Sequence, residues 1–254
     1  MNLKDAKYKG FALVREMLET PQIIAAFDFH RAQDAAQEIG QTGRLLLTGE
    51  GSSRIFPAKN MIYHRLKLGA PISIFTEGAR QAHEYDLADF VVFGASNSGK
   101  TKELISLFQH LADQGHARRF GLTATPGSVL ESVANKCYLL RCGKEEAVAA
   151  TKSVVEQALF YRSLLCGYEP GDGAVVRNQQ LAAEKAREVL ECELDPEIIQ
   201  AIARAPVVYF AGRNNGVAEE LTLKTNEITR KKSDYLVRKL HPKWAFFQVA
   251  RLSI

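Results

Sequence analysis

Apolar and polar positions along this chain follow two rhythms, one of helical spacing and one of short apolar runs. Residues 3 to 42 repeat apolar positions at helical spacing. The pattern predicts a break at Pro21, with Leu18-Glu19-Thr20 ending one helix and the proline opening the next. Leu45-Leu46-Leu47 reads as a buried strand running into Gly49-Glu50-Gly51-Ser52-Ser53, followed by a helix with Ile55, Ala58, Ile62 and Leu66 on its inner face. Ile72-Ser73-Ile74-Phe75 and Phe90-Val91-Val92-Phe93 are the next strands. Between Lys102 and Gln114, Leu104, Ile105, Phe108, Leu111 and Ala112 form the stripe of an amphipathic helix. Strands at 120–123 and 138–140 bracket a turn at Pro126-Gly127 and a short helix after Ser128. A further helix, Ala149 to Leu165, carries Val154, Val155, Ala158 and Leu159.

Strands alternating with helices of this length predict an α/β fold, an open parallel sheet with helices on both faces. Gly167 to Gly173 reads as a linker, and two more helices run to about Arg204. The rhythm then restarts: Val207-Val208-Tyr209-Phe210, a turn at Gly212-Arg213-Asn214-Asn215-Gly216, and a helix from Val217. This echoes residues 45 to 66 and predicts an incomplete second α/β unit. The expected divisions are N-terminal helices at 1–42, a first domain at 43–168, linker helices at 169–204, the start of a second domain at 205–236 and an atypical basic tail at 237–254.

Composition narrows the class. The 254 residues are 46% hydrophobic and 24% charged, proportions that exclude a disordered or collagen-like chain. No apolar run reaches the ~18–20 residues of a membrane span, and the opening Met1-Asn2-Leu3-Lys4 lacks the apolar core of a signal peptide. The expectation is a soluble, cytoplasmic protein with no membrane partner. Cys137, Cys142, Cys166 and Cys192 form no C-x-x-C pair, and Cys137 and Cys142, flanking a strand, read as small hydrophobes. No histidine stands at ligand spacing, so no metal is expected. The net charge of +4 is concentrated: residues 230–254 hold seven Lys/Arg against Asp234, leaving 26 basic and 28 acidic residues elsewhere. The body therefore carries no nucleic-acid footprint.

Two glycine-bearing turns and a set of hydroxyls offer chemistry. Gly94-Ala95-Ser96-Asn97-Ser98-Gly99-Lys100-Thr101 matches the nucleotide-binding pattern G-x-x-x-x-G-K-S/T between a strand and a helix. Free N–H groups at a helix start hold phosphate, but no strand ends in the aspartate that would bind magnesium, so ATP stays an alternative to some other phosphate ester. Gly49-Glu50-Gly51 begins a dinucleotide fingerprint, which Arg54 breaks at the third glycine. Ser52, Ser53, Ser96, Ser98, Thr101, Thr123, Thr125 and Ser128 all fall at or just past strand C-terminal ends, the rim where open α/β sheets bind ligands. Together they favour a small polyhydroxylated phosphate ester over a planar base.

Four ordered motifs, Gly51-Ser52-Ser53, Ser96 to Thr101, Thr125 to Leu130 and Val148-Ala149-Ala150-Thr151-Lys152, resemble the SIS (sugar isomerase) phosphosugar-binding family. The likeness is to the isomerase half of glucosamine-6-phosphate synthase in particular, and to other double-SIS isomerases and deglycases. Met17-Leu18-Glu19-Thr20-Pro21 resembles the helix preceding the family's first domain. Gly212-Arg213 with Glu220 to Ile228 resembles the opening of its second. The resemblance implies a flavodoxin-like three-layer sandwich. It also implies a sugar-phosphate site using Ser52, Ser53, Ser96, Asn97, Ser98, Gly99, Thr101 and Val148, with Ser53, Ser96, Ser98 and Thr101 on the phosphate and Asn97 beside the sugar. No cofactor is implied, and paired subunits imply a homodimer.

Isomerising a sugar phosphate needs a base that moves a proton between C1 and C2. Glu220, Lys224 and Glu227 share one helix face by spacing, which alone would equally suit a solvated ion-pair ladder. The resemblance makes Glu227 the base and Lys224 its neighbour in the site. The family's ring-opening histidine, in an H-G segment, should follow. Here Val237 to Phe247 carries no glycine, and His241 beside Pro242 does not align. The second domain therefore reads as truncated, and Trp244, Phe246 and Phe247 belong either to an altered ending or to a docking arm. The expected function is an aldose–ketose isomerase or deglycase of hexose or amino-sugar 6-phosphates. A non-catalytic sugar-phosphate sensor and a nucleotide-binding protein are the alternatives.

Overall fold

The computed structural model describes residues 1, 3–168 and 178–237. Helices α1 (Ala6–Lys9), α2 (Ala12–Ala26) and α3 (Gln33–Thr42) precede β1 (Arg44–Gly49). There follow α4 (Ile55–Leu68), β2 (Ser73–Gly78), α5 (Ala79–Ala82), β3 (Val91–Ala95), α6 (Lys102–Asp113), β4 (Arg119–Thr123), α7 (Val129–Val133), β5 (Lys136–Leu139) and α8 (Lys152–Ser163). The five strands are all parallel in the order β2-β1-β3-β4-β5. This is the flavodoxin-like order, whose direction reverses between β1 and β3 and so opens a crevice at their C-terminal ends.

The short apolar runs become strands because both faces of this sheet are covered. Along β1, Leu45 and Leu47 enter one core with Val91, Phe93, Phe160 and Tyr161, while Leu46 enters the other with Val92, Leu104, Leu107 and Phe108. That is the period-two alternation of a pleated strand. The α6 stripe covers β3 closely: a Cβ on Gly94 would lie 2.6 Å from Leu104 Cδ1 and from the Phe108 ring.

The break expected at Pro21 does not occur. Helix α2 continues through a buried Pro21 to Ala26, packed along the helix Gln179–Glu191 and against α8. Tertiary burial outweighs the lost backbone hydrogen bond there. The chain turns instead at residues 27–32, where Phe27 and Phe29 stack edge-to-face in the core with centroids 4.8 Å apart.

After the helix Gln179–Glu191, which packs on α2, and the helix Pro196–Arg204, the second unit comprises β6 (Val208–Gly212), the helix Val217–Thr229 and β7 (Ser233–Val237). Strands β6 and β7 pair in parallel from Val208↔Ser233 to Gly212↔Val237. The unit seats on α4 through Gly216, whose φ is +83° and whose missing Cβ would lie 2.7 Å from Phe56 Cα. An ion pair between Lys59 and Glu219 closes the same seam. Within the proposed linker, residues 169–173 lie outside the described residues, as do His241, Trp244, Phe246, Phe247 and the rest of the tail beyond Val237.

Among the described residues, no helix is long and apolar enough to cross a membrane, and no group of three or more His, Cys, Asp or Glu could hold a metal ion. All four cysteines are free thiols. Burial pushes the Cys137 and Cys142 thiols up to about 12, which suits space-filling rather than nucleophilic roles.

Candidate active site

Ser52 and Ser53 follow β1 and Ser96, Ser98 and Thr101 follow β3, on either side of the crevice, and of these five Ser52 and Ser53 line the cleft described below. After β3 the chain turns through Ser96-Asn97-Ser98-Gly99-Lys100 into α6. Gly99 N donates to Ser96 O at 3.0 Å, and the buried Ser96 Oγ meets Thr101 Oγ1 at 2.8 Å. Lys100 N donates to Ser98 Oγ at 3.3 Å. This bend presents Ser96, Ser98 and Thr101 hydroxyls at the start of a twelve-residue helix, whose first-turn N–H groups have no partner within the helix. Hydroxyls, free N–H groups and the positive end of the helix dipole suit an anion.

The nucleotide-loop reading fits less well. Gly94 belongs to β3, opposite Thr48 and Gly121, and Leu104 and Phe108 fill the space above it. The loop that can curl around an anion is therefore only Ser96 to Thr101, and Lys100 is exposed.

The turn after β1 forms the facing wall. Gly51–Ser53 is a short 3-10 turn, and Gln157 Nε2 from α8 donates to Ser53 O at 2.5 Å. Ser52, Ser53, Asn97, Ala150, Ser153 and Gln157 line one cleft. Val148, expected in the site, is fully exposed, and Ala150 is the residue of that motif that reaches the cleft.

The loop carrying the motif is fastened from below. Glu145 accepts Thr151 N at 2.8 Å, Thr151 Oγ1 at 3.0 Å, Ser153 N at 3.2 Å and Asn97 Nδ2 at 3.1 Å, and it bonds Ser153 Oγ. Buried Glu16 on α2 accepts Glu146 N at 2.5 Å, and Glu19 pairs with the buried Lys152 at 2.6 Å. Burial opposes the Lys152 charge, but the Glu19 carboxylate outweighs it and raises the lysine's pKa. Glu156 accepts Arg141 N at 2.8 Å and Cys142 N at 2.6 Å while paired with Arg31 at 2.8 Å, fixing the end of β5.

Sequence reasoning missed Glu145, Glu16, Glu156 and Gln157. The only available signal was Lys144-Glu145-Glu146, acids placed unusually at a sheet rim.

The second unit contributes the charged groups. Lys224 lies 3.4 Å from Glu220 and 3.1 Å from Glu227 along one helix face, and its Nζ donates to Ser52 Oγ at 2.6 Å. The i, i+4 and i+7 spacing thus folds as a cluster in which Lys224 reaches the cleft wall, Glu220 is buried and Glu227 is exposed. Solvated ladders do not bury a carboxylate.

These features define an α/β domain with an anion-suited bend beside a charged helix. A model of the SIS domain family matches residues 38–166, half of the chain, and this chain belongs to that family. A glutamine–fructose-6-phosphate aminotransferase (isomerizing) of Aeropyrum pernix is 27% identical over 88% of this chain and 39% of its own length. One of Listeria monocytogenes is 30% identical over 67% of this chain and 30% of its own length. The chain thus spans well under half of these curated relatives. Among solved structures, the C-terminal domain of glucosamine-fructose-6-phosphate aminotransferase from Francisella tularensis superposes with TM-score 0.68 at 18% identity, covering 92% of this chain and 71% of that one. Glucosamine-6-phosphate deaminase from Thermotoga maritima gives 0.67 at 18% identity, covering 89% and 70%. At such identities the likeness establishes the fold.

Proposed function

We propose that this chain binds a hexose or amino-sugar 6-phosphate in the β1–β3 cleft and belongs to an aldose–ketose isomerase or deglycase. The phosphate sits on Ser96, Ser98 and Thr101 at the head of α6, with Ser53 closing the opposite side. The observation that carries this reading is the 2.6 Å bond from Lys224 to Ser52, which joins the charged helix of the second unit to the hydroxyl-lined cleft of the first. Glu227 is the base that carries a proton between C1 and C2. The Lys224 ammonium steadies the negative oxygen that develops on the neighbouring carbon. Relatives whose names specify fructose 6-phosphate or glucosamine 6-phosphate support the substrate class. In the same reading the chain works as a cytoplasmic homodimer, which light scattering tests.

The deciding experiment follows fructose 6-phosphate and glucosamine 6-phosphate by calorimetry and by product formation. Wild type should bind and convert. Glu227→Gln should bind with affinity within about threefold of wild type and lose at least ~100-fold in turnover. Turnover that survives Glu227→Gln removes that residue as the base. Tight binding by wild type with no product over hours would instead favour a sugar-phosphate sensor.

A further inference from the structure

Asn97 is held from two sides. Its carbonyl oxygen accepts Thr123 Oγ1 at 3.2 Å, Thr125 Oγ1 at 3.1 Å and Ala124 N at 3.1 Å, so the backbone is pinned to the end of β4. Its side-chain Nδ2 donates to Glu145 Oε2 at 3.1 Å. Glu145 in turn is gripped by Thr151 and Ser153, both in the segment that forms the adjoining wall of the cleft.

A carboxylate offers only acceptors. Turning the Asn97 amide over would set Oδ1 against Glu145 Oε2 at hydrogen-bond distance, acceptor facing acceptor, so the orientation is not free. What remains is Oδ1, buried and accepting no hydrogen bond among the described residues, in a side chain that lines the cleft. A buried acceptor without a donor is unfavourable until a ligand or a water supplies one. A phosphate ester dianion has acceptors alone and cannot supply it.

We infer that Glu145 is a positioning residue that locks Asn97 with its acceptor toward the cleft, so that Asn97 selects a hydroxyl or ammonium donor on the sugar and takes no part in holding the phosphate. This rests on the cleft being the sugar-phosphate site. It divides the Ser96–Thr101 bend into two roles: hydroxyl side chains serve the phosphate, and the amide between them serves the carbon chain. Discrimination by a fixed buried acceptor is steep, because a substrate lacking the matching donor leaves the acceptor unpaired.

The test uses inorganic phosphate, fructose 6-phosphate and its monodeoxy analogues as calorimetric probes against wild type, Asn97→Leu and Glu145→Gln. In wild type, at least one deoxy analogue should bind about tenfold or more weakly than fructose 6-phosphate. In Asn97→Leu that ratio should shrink to about twofold, while inorganic phosphate keeps its wild-type affinity. Glu145→Gln can donate to Oδ1 and so permits either amide orientation. It too should lose the ratio, a readout that general loosening of the fold does not move in this selective way. Equal weakening of inorganic phosphate and fructose 6-phosphate by Asn97→Leu would put Asn97 on the phosphate and overturn the inference. Should Asn97→Leu fail to melt cooperatively, wild-type discrimination in Glu145→Gln overturns it instead. If wild type binds neither inorganic phosphate nor fructose 6-phosphate, the proposed site itself falls, a result distinct from either of these.

Discussion

The β1–α4–β2 unit and the β6–helix–β7 unit repeat the same chain order and the same parallel pairing, yet their burial differs. Leu45, Leu46 and Leu47 of β1 are buried on both faces of a five-stranded sheet. In β6, Val208 and Phe210 are half-buried and Tyr209 is 45% exposed, because its sheet has two strands among the described residues and it packs mainly on β7 and the helix Val217–Thr229. Motif order alone would make the two equivalent. The first unit is a closely packed platform with hydroxyls at its strand ends, and the second docks on it through Gly216 and through the bond from Lys224 to Ser52. The cleft lies beside their seam.

The sharpest way to break this comparison is a matched pair of truncations. Leu47→Ala should cost ~2–5 kcal/mol in urea unfolding, whereas Phe210→Ala, already partly solvated, should cost roughly half as much or less. Equal or reversed costs would show that the second unit is as firmly built as the first. Next in size is the seam itself. Gly216→Ala adds a Cβ 2.7 Å from Phe56 Cα at a positive φ, and about 1–3 kcal/mol of strain should lift the Val217–Thr229 helix from α4. Lys224 would then leave Ser52, so turnover should fall further than inorganic-phosphate binding; parallel losses would place the phosphate on the second unit as well.

A third handle is acid sensitivity, carried by helix α4, on which the second unit seats. Burial, with Arg162 and Lys67 nearby, lowers the His64 pKa to about 4. The unfolded chain therefore binds the proton more readily between the ordinary value of 6.5 and about 4, and stability falls as pH drops through that window. His64→Gln should flatten the dependence of the urea midpoint on pH between those values. An unchanged slope would mean that other groups govern it.

Much of the fold was legible because strand-length apolar runs and amphipathic stripes are local signals. All five strands of the main sheet appear where Leu45–Leu47, Ile72–Phe75, Phe90–Phe93, Phe120–Thr123 and Tyr138–Leu140 placed them, with ends shifted by up to three residues. Pro21 misled because its local penalty is set against burial by Gln179–Glu191, far away in sequence. The hydroxyls at the rim were readable by type and by position after strands. Glu145 and Glu16 were not: each satisfies loop N–H groups, Glu16 across 130 residues, a demand that exists only once the loop is folded. Lys224 was readable as part of a helix face, but its bond to Ser52, 172 residues away, belongs to the docking of the two units.

The account stands on an anion held by the bend ahead of Lys102. Calorimetric titration of fructose 6-phosphate into wild type and into the double variant Ser98→Ala with Thr101→Ala tests it most directly. Loss of two hydroxyl bonds to a charged group should weaken binding by about tenfold or more while cooperative melting is kept. Equal affinity in a folded double variant would contradict the account and move the phosphate elsewhere.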